Sequence, residues 1–399
     1  MQNKNIDYGL LFENINLEKN PVLIAMHNVG SLGIKRGLQK YGVDIIAISH
    51  ERYLIEALGK NALCIEDKND WIKYIIKIAK EFRKVSDKKI VFFTDGDQTM
   101  DQMLEHFDEI KDYYILPIKE KIEEYKNITD KKLLKNNLKN IRVPKTYTGD
   151  SQYKIEEFPV MIKPLSHTLR MGKKVLIAND KTQLKEYLDE LSSKGGSISQ
   201  EVIAGETENL YCITMYRNEF GYCIIGNIVK KLREYPIENG TGSCHITVDN
   251  KKLADLSVKL LEEKDYTGIA MIEFKYSEKY KEFVLIEVNG RFPIEANIND
   301  KIGNDFVYRI YKDMLNPNKE KEVLFDWSKV SAYWVLQSYD IRACMAKKID
   351  WKSEYKFYKE KGYFIDSVKD KDDILTYKAY KKELILKAFK KIKKKIFGR

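Results

Sequence analysis

Apolar residues recur along this chain in two rhythms, and the switches between them mark out its elements. Pro21–Met26 (PVLIAM), Val43–Ser49 and Lys89–Phe93 are short apolar runs, the pattern of strands buried on both faces. Residues 32–41 have helical spacing, so 21–49 predicts a βαβ unit of a parallel sheet. Tyr113–Pro117 predicts a further strand and Gln98–Ile110 a helix. Gly30, Gly33 and Gly37 are spaced GxxGxxxG, which is not the GxGxxG dinucleotide fingerprint and fits close packing. Asp95 and Asp97 follow the strand 89–93, where such residues either cap the next helix or hold a ligand.

Downstream the order changes. Ile122–Asn140 is Lys-rich and helical in spacing, with a break near Asn127–Thr129. Val160–Ile162, Val175–Ala178 and Ser197–Ile203 read as strands around a helix that starts at Asn179 or Asp180 and runs to Leu191. Leu210–Tyr216 and Tyr222–Lys231 read as antiparallel strands, followed by a loop, REYPIENGTGSCH, and a helix, Leu253–Lys264. Gly268–Tyr276 and Phe283–Asn289 alternate and flank a polar stretch, Ser277–Glu282, which predicts a hairpin. Asp305–Met314 predicts a closing helix, and the aromatic-rich 330–380 a small α+β cap.

Composition narrows the class. With 399 residues, 43% hydrophobic and 12% aromatic, the chain can bury a large core across two to three domains. No apolar run approaches the roughly 18 residues of a spanning helix. The first 20 residues lack the basic start and apolar core of a secretory leader, so a cytoplasmic location is expected. Five cysteines and five histidines are scattered with no CxxC, which argues against a disulfide framework and a structural zinc site. The net charge of +10 is local: 381–399 holds nine Lys/Arg and one Glu, a net +8, leaving +2 for the body. A broad nucleic-acid-binding face is therefore not expected. In that tail Leu384, Ile385, Ala388, Phe389, Ile392 and Ile396 recur at helical spacing against lysines. Peripheral contact with the inner membrane face is one expectation and a solvated helix the other.

The chemistry gathers near residue 280. A hairpin centred on Lys279–Lys281 sets Glu273 opposite Glu287, and alternation puts Asn289 on the face of Glu287. Two carboxylates and an amide oxygen on one face suit Mg²⁺, which takes one or two carboxylates together with nucleotide phosphates. Arg291 adds a planar fork for a phosphate or a substrate carboxylate. A solvated edge hairpin is the plain alternative, and for Glu273 alone it is the simpler one. There is no GxxxxGK[ST], GxSxG, HRD or DFG motif.

In their order these pieces resemble the ATP-grasp superfamily over about Leu23–Phe306, in particular its carboxylate–amine ligase branch of carbamoyl-phosphate synthetase-like and D-aspartate ligase-like enzymes. The resemblance implies an α/β N-terminal domain with a parallel sheet, then an α+β ATP-grasp fold of two subdomains and a small C-terminal extension. The boundaries expected are 1–120, 121–200, 201–316 with the metal site, 317–380, and the basic tail 381–399. Lys131 in TDKKLL and Lys163 in FPVMIKP look like the two ATP lysines. In SQEVIAGETE, the backbone of Glu201, Val202 and Ile203 would read adenine, and Glu206 or Glu208 would take the ribose. Lys230 or Lys231, and Arg233, sit where the family faces phosphate or substrate. Glu273, Glu287 and Asn289 look like ligands of Mg²⁺ (or Mn²⁺), and Arg291 closes the ExNxR pattern. The lid after Lys163, PLSHTLRMGKKV, departs from the glycine-rich form, with Gly172 alone. The activity implied is an ATP-dependent ligase joining a carboxylate to an amine, on small-molecule substrates for a cell-surface polysaccharide or a peptide. A small-molecule kinase or carboxylase, or an inactive nucleotide-binding scaffold, is the alternative.

Overall fold

The computed structural model describes residues 6–67, 69–130, 138–139, 141–165, 175–193, 195–238, 240–325 and 331–397. Three sheets organise it. The first contains β1 (Val22–Ala25), β2 (Ile45–Ser49), β3 (Ala62–Cys64), β4 (Ile90–Thr94) and β5 (Tyr114–Ile115), all parallel, in the order β3-β2-β1-β4-β5. Every residue of β1, β2 and β4 is buried, as their unbroken apolar runs require. The expected helix 98–110 is two helices, Asp97–Glu105 and Phe107–Ile110, divided at His106. The helix from Ile122 ends at Thr129, at the expected break.

The second sheet is antiparallel, β6 (Thr146–Thr148), β9 (Ser197–Glu201), β7 (Val160–Pro164) and β8 (Leu176–Ala178) in that order. Asp180 caps its helix, Lys181–Ser192, by accepting from the Gln183 N–H at 2.8 Å, and Leu184, Leu188 and Leu191 face the sheet.

The third sheet is the largest. It runs β14 (Glu282–Asn289), β13 (Gly268–Ser277), β10 (Leu210–Arg217), β11 (Cys223–Tyr235), β12 (Thr241–Thr247), β16 (Ala332–Val335) and β17 (Tyr363–Asp366), with β15 (Val323–Leu324) beside β11. The stretch REYPIENGTGSCH is not a loop. Arg233–Tyr235 prolong β11, and 241–245 begin β12, so a hairpin turn remains between them. Its glycines and polar residues hid this, because Gly242 is a strand residue packed against His245. The segment 332–366 builds no sheet of its own; β16 and β17 extend this one.

The N-terminal part is packed tightly onto the helices beyond the large sheet. The helix Gly30–Gln39 lies against Asn297–Lys301, and a Cβ on Gly33 would stand 2.3 Å from the Asn297 backbone nitrogen. Lys35, fully buried in that helix, donates to Asp373 Oδ2 at 2.7 Å and to the Thr376 hydroxyl at 3.1 Å. Arg36 bonds Asp373 at 3.0 Å and the Val368 carbonyl at 2.7 Å. Beginning and end of the chain are thus joined by buried charge. Gly33→Ala should cost about 1–3 kcal/mol by overpacking, read as a lower urea midpoint at unchanged slope.

Candidate functional site

The hairpin β13–β14 places Glu273 directly opposite Glu287, and Asn289 opposite Met271. Near the turn the pairs are Ser277 with Glu282 and Phe274 with Leu285. Continued unbroken, that register would bring Ile286 opposite Glu273 and send Glu287 to the core face. One extra residue, Ile286, forms a β-bulge and restores Glu287 to the face of Glu273. The Asn289 amide donates to Glu287 Oε1 at 3.3 Å, so these two ends already touch. All three residues are half-buried. Behind the turn from β14, a Cβ on Gly290 would lie 2.1 Å from Tyr125, so only glycine lets the chain swing Arg291 inward.

One further strand, β11, supplies charge to the same face across β10. Cys212 of β10 pairs with Glu273 on one side and with Val229 of β11 on the other. That parity puts Lys231 on the face of Glu273 and Lys230 on the reverse. Lys231 is buried and reaches Glu234 Oε2 at 3.3 Å. Burial opposes its charge, yet Glu273, with Cys212 and Glu234, outweighs it and holds its pKa above the ordinary lysine value. Lys275, next on β13, is pulled below that value by burial, with Glu234 and Glu206 resisting.

Arg233 is turned away. Register shifts on either side of it set Leu232 out as a bulge and rotate Arg233 to the far face. There it forks onto Asp340, both bonds at 2.9 Å, and also meets Glu354 at 2.9 Å and the Tyr358 hydroxyl at 2.8 Å. Its pKa is pushed far up: burial opposes the charge, but the Asp340 bond and the surrounding acidic groups more than offset it. The expected role facing phosphate or substrate does not fit this placement; the residue holds the helices Gln337–Ala346 and Trp351–Lys361 to the sheet.

Arg291 faces the N-terminal sheet, bonding Asp97 through Nε at 2.9 Å and Nη2 at 3.2 Å. Asp95 beside it accepts from the backbone of His27 at 2.8 Å, Asn28 at 3.2 Å and Ser31 at 3.0 Å. It therefore caps the helix of the neighbouring strand, not its own. Burial pushes its pKa up to about 6 despite those bonds. His27 stacks on Trp71 at 4.0 Å and meets the Thr99 hydroxyl at 2.6 Å; burial, then His50, lowers it to about 4.

One residue was absent from the expectations. Glu295 is 2% exposed and, among the described residues, its Oε1 has no hydrogen-bond partner. Burial first, then Glu273, pushes its pKa up to about 7, while Arg291 and Lys231 act the other way. The signal available was its spacing, four residues after Arg291 within an otherwise apolar run, FPIEA.

The other expected positions fall on the neighbouring sheet. Lys163 lies in β7 opposite Ile198. Glu201 closes β9, and its carboxylate accepts from the Tyr280 hydroxyl, which ties this sheet to the β13–β14 turn. Val202 is half-buried and Ile203 buried. Glu206 caps the turn Thr207–Asn209, and both it and Glu208 are exposed. Lys131 and most of the lid, 166–174, lie outside the described residues. Among the described residues no group of three or more His, Cys, Asp or Glu is placed to hold a metal ion. Two carboxylates in register with an adjacent amide nevertheless match the donor set of a cation that shares its shell with phosphates. The five cysteines are free.

Residues 243–312, which carry Glu273, Glu287, Asn289, Arg291 and Glu295, match the family model of the carbamoyl-phosphate synthase L chain, ATP binding domain. Among solved structures, the biotin carboxylase domain of the Hydrogenobacter thermophilus 2-oxoglutarate carboxylase, a complex with MgADP, superposes with a TM-score of 0.58. It is 14% identical and covers 79% of this chain and 74% of that one. The chain has the ATP-grasp fold. The L-amino acid ligase of Bacillus licheniformis shares that ATP-grasp architecture with a TM-score of 0.54, at 14% identity over 75% of this chain and 76% of its own. By sequence, the D-aspartate ligase of Enterococcus faecium is 25% identical over 248 residues, 55% of this chain and 58% of that ligase. The chain thus spans little more than half the length of that relative. The resemblance to ATP-grasp proteins and to D-aspartate ligase read from the sequence holds on both counts.

Two buried groups of this chain lend themselves to measurement. Asp340→Ala leaves Arg233 buried against fewer partners and should cost about 3–5 kcal/mol in urea unfolding, equally with and without nucleotide. In the ligand-free protein the fold keeps the Glu295 proton up to about pH 7, whereas the unfolded chain releases it near 4.5. That share of stability is present below 4.5 and is lost as pH rises to about 7. Glu295→Gln should flatten this slope and stabilise the protein by about 3 kcal/mol at alkaline pH, measured by urea unfolding across the range.

Proposed function

We propose that the protein is an ATP-dependent carboxylate–amine ligase. The observation that carries the reading is the bulge-set pairing of Glu273 with Glu287, with Asn289, Lys231, Glu295 and Arg291 around it. The similarity to D-aspartate ligase supports it. A substrate carboxylate attacks the γ-phosphorus of ATP, giving an acyl phosphate and ADP. An amine then attacks the acyl carbon, phosphate leaves, and an amide remains.

Each residue has a physical task in that sequence. Glu273, Glu287 and Asn289 would hold Mg²⁺, which supplies charge neutralisation for the phosphate oxygens. Lys163 and Lys231 add fixed positive charge toward the transferred phosphoryl group from two facing sheets. The backbone of Glu201, Val202 and Ile203 would read the adenine edge, with Glu206 or Glu208 toward the ribose. Arg291, already holding the Asp97 carboxylate with a two-bond fork, is shaped to hold the carboxylate that reacts. Glu295, with a pKa of about 7, is suited to take the proton released by the attacking amine.

The test is ADP release from ATP and Mg²⁺ across a panel of amino acids, hydroxy acids and uronic acids, with the product identified. An amide is expected; a phosphate ester or a carboxylated product would replace this reading with the kinase or carboxylase one. Arg291→Ala and Glu287→Gln should each lower kcat about 10²–10³-fold. Parental turnover in either variant would remove the role given to that residue.

A further inference from the structure

The last helix, Ile374–Phe397, docks on the protein through Thr376, Tyr377, Ala379, Tyr380 and Glu383. It lies across the segment formed by Arg52–Ile55 and Glu56–Asn61. What it docks with is mixed: Tyr377, Ala379 and Tyr380 pack on the core beneath, and polar groups lie beside them. The Thr376 hydroxyl accepts from Lys35 at 3.1 Å, and the Tyr380 hydroxyl donates to Ser338 at 2.8 Å. Lys387 bridges Glu51 at 3.1 Å and Glu383 at 2.5 Å. Positions 376, 380, 383 and 387 form one stripe of a helix.

The opposite face carries bare apolar side chains, with Lys378 and Lys382 among them. Ile385 is 56% exposed, Leu386 51% and Phe389 65%. Ile374 and Leu375 continue it toward the helix start, at 43% and 58%. A helix that serves only its own protein shows a polar outer side; this one also leaves large apolar side chains bare on that side. Lys381, Lys382, Lys390 and Lys393 are exposed along it. In sequence, Ile392 and Ile396 continue the apolar spacing, and the +8 of 381–399 surrounds it.

We propose that this helix is a membrane-docking surface that lies flat on an anionic phospholipid bilayer. Ile385, Leu386 and Phe389 enter the boundary between headgroups and acyl chains, and the lysines pair with lipid phosphates. The geometry favours this occupant over two others. A second copy would bring +8 against +8. A nucleic acid would use the lysines but leave the apolar stripe in water. Nor does the helix cross the bilayer, since none among the described residues is long and apolar enough. The proposal is independent of the ligase reading, because none of its residues belongs to that site.

The experiment is co-sedimentation of the full-length protein with phosphatidylcholine vesicles, with and without about one third phosphatidylglycerol, at low and high salt. Partitioning at least about tenfold stronger onto the anionic vesicles is expected, weakening as salt rises. Ile385→Ser and Phe389→Ser should each reduce it about tenfold with an unchanged melting temperature, because both side chains are already exposed. Lys390→Glu should weaken binding to the anionic vesicles alone. Equal partitioning onto both lipids, or binding indifferent to Phe389→Ser, overturns the proposal. So does a dimer in light scattering that Phe389→Ser dissociates, which would give the stripe to a second copy.

Discussion

Two carboxylates held opposite each other across a β-ladder are the constraint on which the rest of the site depends. Like charges in directly paired positions destabilise a sheet, and nothing in the packing of Phe274 or Leu285 requires Glu273 to face Glu287. The bulge at Ile286 imposes that arrangement against the local register. Everything around it compensates: Lys231 from the next strand but one, the Asn289 amide, and the inward swing at Gly290 that sets Arg291 over the cluster. The acidic face and the basic groups that offset it come from three separate strands and one turn. Only the assembled sheet can bring them together.

The N-terminal sheet reaches this cluster through one pair, Arg291 and Asp97. Asp97 stands after β4, at the carboxyl end of a parallel strand and near the point where the strand order reverses, the usual place for a ligand in such a sheet. An internal carboxylate therefore occupies the fork that the proposed acid substrate would use. His27 and Asp95 stiffen the same corner, one by stacking on Trp71, the other by collecting three backbone N–H groups. A fork already shaped by one carboxylate has little ordering entropy left to lose when it meets another.

Much of this is legible in the sequence. The parallel sheet shows in unbroken apolar runs, and the Glu273–Glu287 pairing in the symmetry of the segment about residue 280. What escapes is irregularity. Strict alternation places Lys231 and Arg233 on one face; the bulge at Leu232 separates them, and one becomes part of the cluster while the other is locked to Asp340. Glycine and proline make β12 read as a loop, although its neighbours β11 and β16 supply the pairing that overrides local propensity. Glu295 escapes notice because a lone acid in an apolar stretch looks like a surface position; only the burial of its surroundings reveals it.

The clamp between Lys35 and Asp373 carries a consequence for biosynthesis. The ammonium is made early, but its carboxylate is encoded 338 positions later. At ordinary elongation speeds that interval is roughly 20–70 s. Throughout it the first sheet stands outside the ribosome with an unneutralised cation on a helix destined for the interior. The nascent domain must wait with that surface open, dependent on whatever shields it, until Asp373 emerges and delivers the counter-charge.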